Sequence, residues 1–211
     1  MERGLVSITI KVEKITKFKK DYLVFFSKDI VLTLLEDELI LYNIYKGKVI
    51  THEELREIDS LHIFHKYYFI LKKKLLINLL SIEDARKYLK SKDLDNKLIE
   101  DIINKLKDDG LLDDYILGLR IKEDCYYKLK GINYYRQILK NKGIDYHTSK
   151  DLIELYNEED LLENLILYFE SFKNSLISLP TKLQNLKISQ KMARNGFLEE
   201  TIRKVLKNLE I

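Results

Sequence analysis

The chain has 211 residues, 45% hydrophobic, 34% charged and a formal net charge of +3, so it is long and apolar enough to bury a core and is not a disordered polyion. One proline and seven glycines argue against a β-sandwich, and a lone Cys125 excludes an internal disulfide and fits a reducing compartment. The N-terminal stretch lacks a secretory apolar region with a cleavage site, and no segment approaches the ~20 apolar residues that span a bilayer; the expectation is a soluble cytoplasmic protein with no membrane partner.

Residues 6–12, V-S-I-T-I-K-V, alternate apolar and polar side chains with the period of a half-buried strand. K-F-K-K-D at 17–21 reads as a turn and Y-L-V-F-F at 22–26 as the second strand of a hairpin, with 30–34 as a third strand. Residues 36–44 suit strand or helix; the reading favours a short helix ended near Gly47. Thr51 and Glu54 have the spacing of a capping box, and Ile50 and Leu55 that of its hydrophobic staple. A small α+β module over residues 1–60 is therefore expected, with a boundary near residue 60.

Beyond it the pattern is helical. An apolar-rich helix is expected over 65–80, and Ser81 N-caps a second helix that ends before Asp93. A third runs from about Asp95 to Asp109, with Leu98, Ile102, Ile103 and Leu106 on one face and Gly110 as the left-handed C-cap. Helices over about 113–129, 132–141 and 149–155 follow, then 158–175, 180–194 and 198–209, with Pro180 at a first turn.

A short phrase recurs along this helical stretch: L-K-S-K-D-L at 89–94, L-K-N-K-G-I at 139–144 and M-A-R-N-G-F at 192–197, spaced by 50 and 53 residues. Similar phrases at a near-fixed period indicate a repeated supersecondary unit. The expected fold is mainly α: three tandem three-helix repeats (61–112, 113–156 and 157–211) forming a curved elongated array, preceded by the strand-containing module. Charge follows the same rhythm. Residues 66–92 carry eight Lys/Arg against Glu83 and Asp84, residues 120–142 carry seven against Glu123 and Asp124, and residues 171–198 carry five and no acid. Acids near helix starts and bases near helix ends explain part of this; three basic blocks in register also suit a polyanion or an acidic groove.

Motifs for chemistry are absent. There is no phosphate-cradling G-x-x-x-x-G-K-[ST], no G-x-G-x-x-G, no G-x-S-x-G and no cysteine pair for zinc. His62-x-x-His65 lacks a nearby third ligand, and Asp113-Asp114 is better explained as a helix N-cap than as a catalytic pair. Cys125 lies among apolar helix positions as a small core residue. The tyrosine pairs 67–68, 126–127 and 134–135 can each present only one ring to a partner, because neighbours on a helix diverge by ~100°. The expectation is no enzyme, no cofactor and no metal.

The phrases S-I-E-D-A-R-K-Y-L-K-S-K (81–92), I-E-D-I-I-N-K-L-K-D-D-G-L-L-D-D (99–114), G-I-N-Y-Y-R-Q-I-L-K-N-K-G-I (131–144) and M-A-R-N-G-F-L-E-E-T-I-R-K-V-L (192–206) resemble the RecX family, bacterial regulators of the recombinase RecA. Asp93 stands where that family usually has glycine, Leu111-Leu112 lack its frequent aromatic, and Lys replaces much of its Arg. The resemblance implies a nine-helix, three-repeat protein lying in the groove of the RecA filament on single-stranded DNA. It would inhibit filament extension, ATP hydrolysis and strand exchange, in homologous recombination, DNA repair and the SOS response. It implies a monomer, with direct DNA contact allowed. The alternative is a stand-alone helical DNA-binding protein, which would need a recognition helix in a dimer. The expected docking face comprises Lys72, Lys73, Arg86, Lys87, Lys128, Lys130, Arg136, Lys140, Lys187, Lys191 and Arg194.

Overall fold

The structure is a computed structural model and describes residues 9–210. Residues 6–8 of the first expected strand lie outside it. The described chain is mainly helical, with a four-stranded antiparallel sheet at its N-terminal end in the order β3-β2-β1-β4. Strands β1 (Thr9–Phe18), β2 (Asp21–Phe26) and β3 (Ile30–Leu34) form the expected meander. Lys19 (φ 58°) turns the first corner and Lys28 and Asp29 (φ 67° and 59°) the second. Helix α1 (Glu36–Leu41) follows as a single short turn-and-a-half.

Strand β4 (Val49–Thr51) was not legible as a strand: three residues show no alternation, and they also belong to the capping box. It pairs Ile50 with Ile10 on the free edge of β1. Thr51 N–H donates to Glu54 Oε2 (2.6 Å) and Glu54 N–H to Thr51 Oγ1 (3.1 Å), so the box forms and starts α2 (His52–Ile77). This helix begins at residue 52, not 65, and passes unbroken through residue 60. No glycine or proline lies between Gly47 and Gly110 to stop it. Ile10, Val12, Val24, Phe26, Leu34 and Ile50 from the sheet pack with Leu55 and Ile58 of α2 into one core.

The remaining helices are α3 (Ile82–Lys90), α4 (Asn96–Asp108), α5 (Asp114–Tyr127), α6 (Ile132–Asn141), α7 (Tyr146–Glu154), α8 (Leu162–Asn174), α9 (Thr181–Arg194) and α10 (Glu199–Asn208). The start of the expected helix 158–175 is a 3-10 turn, Glu158–Leu161, capped by Asn157. Helices α5, α6 and α7 share a core of Leu117, Ile121, Cys125, Tyr135, Leu139 and Leu152. Helices α8, α9 and α10 share another, with Leu165, Phe169, Ile188, Met192 and Val205. The chain divides into two compact units, one reaching to Leu76 and including Leu89–Leu106, the other comprising Ile77–Tyr88 and Lys107 onward.

Within the second unit two junctions are built alike. At the start of α3, Ser81 caps its own helix by accepting from Asp84 N–H (3.0 Å), while its hydroxyl donates to the Lys142 carbonyl (2.6 Å). Ile82 N–H donates to Asp114 Oδ1 at the start of α5 (2.9 Å). At the start of α6, Gly131 N–H donates to the Asn195 carbonyl (2.9 Å) and Ile132 N–H to Glu158 Oε1 (2.8 Å). In both, the C-terminal end of a later helix and a carboxylate from a later helix start satisfy an earlier helix's N-terminal groups. Asp93, Gly143 and Gly196, the turn positions of the recurring phrase, all have positive φ (56°, 68° and 89°).

Candidate functional site

The expected docking residues fall in both compact units. Lys72 and Lys73 lie on α2 in the first; the other nine lie in the second. Their charges are not equally available. Arg86 pairs with Glu83 (3.1 Å), from which Lys87 is 3.9 Å, and Lys128 pairs with Asp124 (2.8 Å), which holds the Lys128 ammonium above its ordinary pKa. Lys191 lies over the Phe172 and Tyr168 rings (3.9 and 4.9 Å to the centroids), so its stem is part of the α8–α9 packing. Lys72 sits near the Tyr68 ring (5.8 Å). Lys140 and Lys187 are exposed on α6 and α9.

One group converges. The backbone bond from Gly131 N–H to the Asn195 carbonyl, and that from Asn133 N–H to the Gly196 carbonyl (3.0 Å), bring the end of α9 onto the start of α6. A Cβ on Gly131 would lie 2.3 Å from Phe197 N, and one on Gly196 2.4 Å from Tyr134 N, so both glycines are required by the approach itself. Lys130 reaches Asn195 Oδ1 (3.0 Å) with its ammonium 5.0 Å from the Tyr134 centroid. Arg136 donates to Asn133 Oδ1 (2.9 Å) and Arg194 to the Gln190 carbonyl (3.2 Å). These acceptors are neutral, so the bonds orient the cations without cancelling their charge. The exposed Tyr134 stands beside them, while its neighbour Tyr135 is fully buried and donates to the Gly118 carbonyl (2.9 Å). Asn133 and Asn195 had no signal in the sequence beyond lying next to the basic positions.

The positions weighed for chemistry make helix-capping, ion-pair or core contacts. Asp113 caps α5 by accepting from Tyr115 and Ile116 N–H (2.8 and 3.0 Å). Asp114 caps α3; burial, together with the charges of Asp145, Asp113 and Asp84, raises its pKa against the Ile82 N–H. Cys125 is buried, and burial with the Asp124 charge pushes its thiol up to about 11. His62 and His65 donate from Nδ1 to Glu38, at 3.0 Å each. Burial alone would raise the Glu38 carboxyl, but the Leu35 N–H and the two imidazoles hold it below its ordinary value. Spacing showed the histidine pair, and not this carboxylate more than twenty residues upstream. Among the described residues no group of three or more His, Cys, Asp or Glu could hold a metal ion, and no helix is long and apolar enough to cross a membrane.

The architecture first defines a class: a mainly helical chain following a small antiparallel sheet, with helix ends interlocked at two junctions. Within that class the chain resembles the RecX family, in fold along nearly its whole length and in sequence over half of it. A crystal structure of a regulatory protein RecX matches with a TM-score of 0.71 at 22% identity, covering 94% of this chain and 99% of that one. RecX from Lactobacillus salivarius matches with a TM-score of 0.60 at 24% identity, over 70% and 96%. The regulatory proteins RecX of Streptococcus pneumoniae strains Hungary19A-6 and R6 are each 28% identical over 105 residues, 50% of this chain. The match spans 41% of those relatives' own length. No family model matches the chain.

Proposed function

We propose that this protein is a RecX-type regulator of RecA that docks in the groove of the RecA filament on single-stranded DNA and restrains filament extension, ATP hydrolysis and strand exchange. The observation that carries the reading is the sequence likeness to regulatory proteins RecX in a chain that has the RecX fold. The reading takes the helical part as three three-helix units, supported by the alike junctions at α3 and α6 and by the positive φ shared by Asp93, Gly143 and Gly196. Groove binding along a polymer needs cations displayed at intervals rather than one base-reading helix. Lys130, Arg136 and Arg194, hydrogen-bonded to neutral groups, suit that role best, with Arg86, Lys87, Lys128, Lys140, Lys187 and Lys191 of the same compact unit beside them in the reading. On this reading the protein is a cytoplasmic monomer and acts by binding, with no catalysis of its own.

The test is the DNA-dependent ATPase of RecA on single-stranded DNA, with this protein titrated in. The expected result is a falling rate at substoichiometric ratios to RecA, and partial recovery with the triple reversal Lys130→Glu/Arg136→Glu/Arg194→Glu. An unaffected rate at equimolar protein would remove the reading. A protein that binds naked duplex DNA as a dimer, with RecA indifferent to it, would point instead to the stand-alone DNA-binding alternative.

A further inference from the structure

The outer face of the N-terminal sheet is not what an antiparallel sheet usually turns to water. Alternation and register put Lys14, Thr16 and Phe18 of β1, Leu23 and Phe25 of β2, and Val31 and Thr33 of β3 on one side, opposite the side that packs Val24 and Phe26 into the core. A solvated face normally reads polar. Here Phe18 is 52% exposed and Val31 47%, with Phe25 half-buried between β1 and β3. Two of these rings carry an ammonium: Lys14 lies 5.7 Å from the Phe25 centroid and Lys19 5.5 Å from that of Phe18.

The face leads to a groove in the same compact unit. Asp21 and Thr33 of the sheet line it together with His62, Lys66, Phe69, Ile70 and Lys73, which recur along one face of α2. The groove has a volume of about 350 Å³, and Phe69 is 49% exposed. Across the platform and groove, cations outnumber acids: Lys14, Lys19, Lys66 and Lys73 face Asp21, with Glu13 at the bulge in β1. Exposed rings interleaved with ammonium groups are what single-stranded nucleic acid requires, since bases stack on the rings while the phosphates need cations. An apolar protein partner would need the rings but not the cations beside them.

We infer that this sheet face and the adjoining α2 groove form a docking surface for single-stranded nucleic acid, with Phe18, Phe25 and Phe69 as stacking platforms and Lys14, Lys19 and Lys66 as phosphate contacts. The surface shares no residue with the α6–α9 junction and does not depend on RecA.

The experiment measures fluorescence anisotropy of a fluorescein-labelled oligothymidine with the full chain, without RecA, over a range of salt. The variants are Phe18→Ala, Phe25→Leu, Lys14→Glu/Lys66→Glu and, as a control, Lys130→Glu/Arg136→Glu/Arg194→Glu. Phe18, Lys14 and Lys66 are exposed, and Phe25→Leu keeps apolar volume while removing the ring, so each variant is expected to keep the wild-type melting temperature. Each aromatic change should weaken binding by about tenfold. The lysine reversal should lower both affinity and the slope of affinity against salt. Wild-type affinity in the sheet variants, or no binding by the wild-type chain, would overturn the inference. So would loss of self-association in sedimentation with oligothymidine affinity intact, which would make the face a contact between copies. A lost effect on RecA ATPase with these oligothymidine results intact would count against the RecA reading alone.

Discussion

Glu158 is the residue whose removal tests the junction most sharply. Its carboxylate is 7% exposed and accepts from Ile132 N–H (2.8 Å), Leu198 N–H (3.1 Å) and the Thr201 hydroxyl. It thereby supplies the N-terminal cap that Gly131 has no side chain to give α6, and it fixes the approach to α10. In Glu158→Ala the Ile132 N–H and the Thr201 hydroxyl, both in buried residues, lose their acceptor; water can reach the part-exposed Leu198. At about 1–2 kcal/mol for each buried donor left unsatisfied, the loss is about 2–4 kcal/mol. For a chain of this size that is a fall in melting temperature of about 5–15 °C. Glu158→Gln keeps one oxygen acceptor and should lose about half as much. Glu159→Ala, next door but exposed and paired only with Lys204 at the surface, should cost under about 1 kcal/mol. The assay is thermal unfolding by circular dichroism with native-state hydrogen exchange, in which the Ile132 and Leu198 amides should lose protection before those of β2. A Glu158→Ala variant no less stable than Glu159→Ala, with the Ile132 amide still protected, would refute the capping argument.

Other expectations follow from the same packing. Gly131→Ala should cost more stability than Gly118→Ala in thermal unfolding, because a Cβ at 131 meets backbone atoms of Gly196 and Phe197, whereas at 118 it meets only the end of the Leu152 side chain. Burial alone would raise the Asp84 carboxyl, but the Lys142 ammonium (2.8 Å) and the Ser81 N–H (3.3 Å) hold it low. Its stabilising contribution is therefore present above the unfolded-state value of ~3.9 and is lost as pH falls through the lower folded value. Asp84→Asn should accordingly be less stable at neutral pH and show a shallower acid limb in urea titrations below about pH 4. Cys125, buried with its thiol raised to about 11, should react with a thiol reagent at neutral pH only after denaturant is added; rapid labelling of the native chain would contradict the packing of α5.

What the sequence made legible was whatever local chemistry decides. The helix starts at Ser81, Asp113 and Asn157 were readable because a short polar side chain caps its own helix. The 132–141 helix was readable between its two glycines, and the mainly helical chain behind an N-terminal sheet was readable from the change of periodicity. What failed was non-local. Strand β4 exists because β1 offers an edge, not because three residues prefer extension. The start of α2 at residue 52 was signalled by the capping box, but the apolar run near residue 65 drew the helix start too far along. The roles of Asp114 and Glu158 could not be read, since each carboxylate caps a helix that begins tens of residues earlier. Of the basic site, the Lys and Arg positions were visible. Which of them carry an uncompensated charge was not, because that depends on whether the nearest acceptor is a carboxylate, as for Lys128, or an amide, as for Lys130.

The junctions also explain how the second and third copies of the phrase, 53 residues apart, can serve alike places. The contacts that matter are made by a helix end, a helix start and one carboxylate, and none depends on the length of the helices between them. Asp114 and Glu158 differ by a methylene, and the helix starts they cap differ too: Ser81 brings its own hydroxyl, whereas Gly131 brings none. The longer, more buried glutamate thus stands where the helix lacks a cap of its own, and the shorter, half-buried aspartate where the helix already has one. Each junction is satisfied by a different division of the same hydrogen bonds. The constraint on the sequence is therefore on the pair, carboxylate and cap together. An isolated Gly131→Ser change would not reproduce the α3 arrangement, because its Cβ would collide with the backbone of Gly196 before its hydroxyl could cap α6.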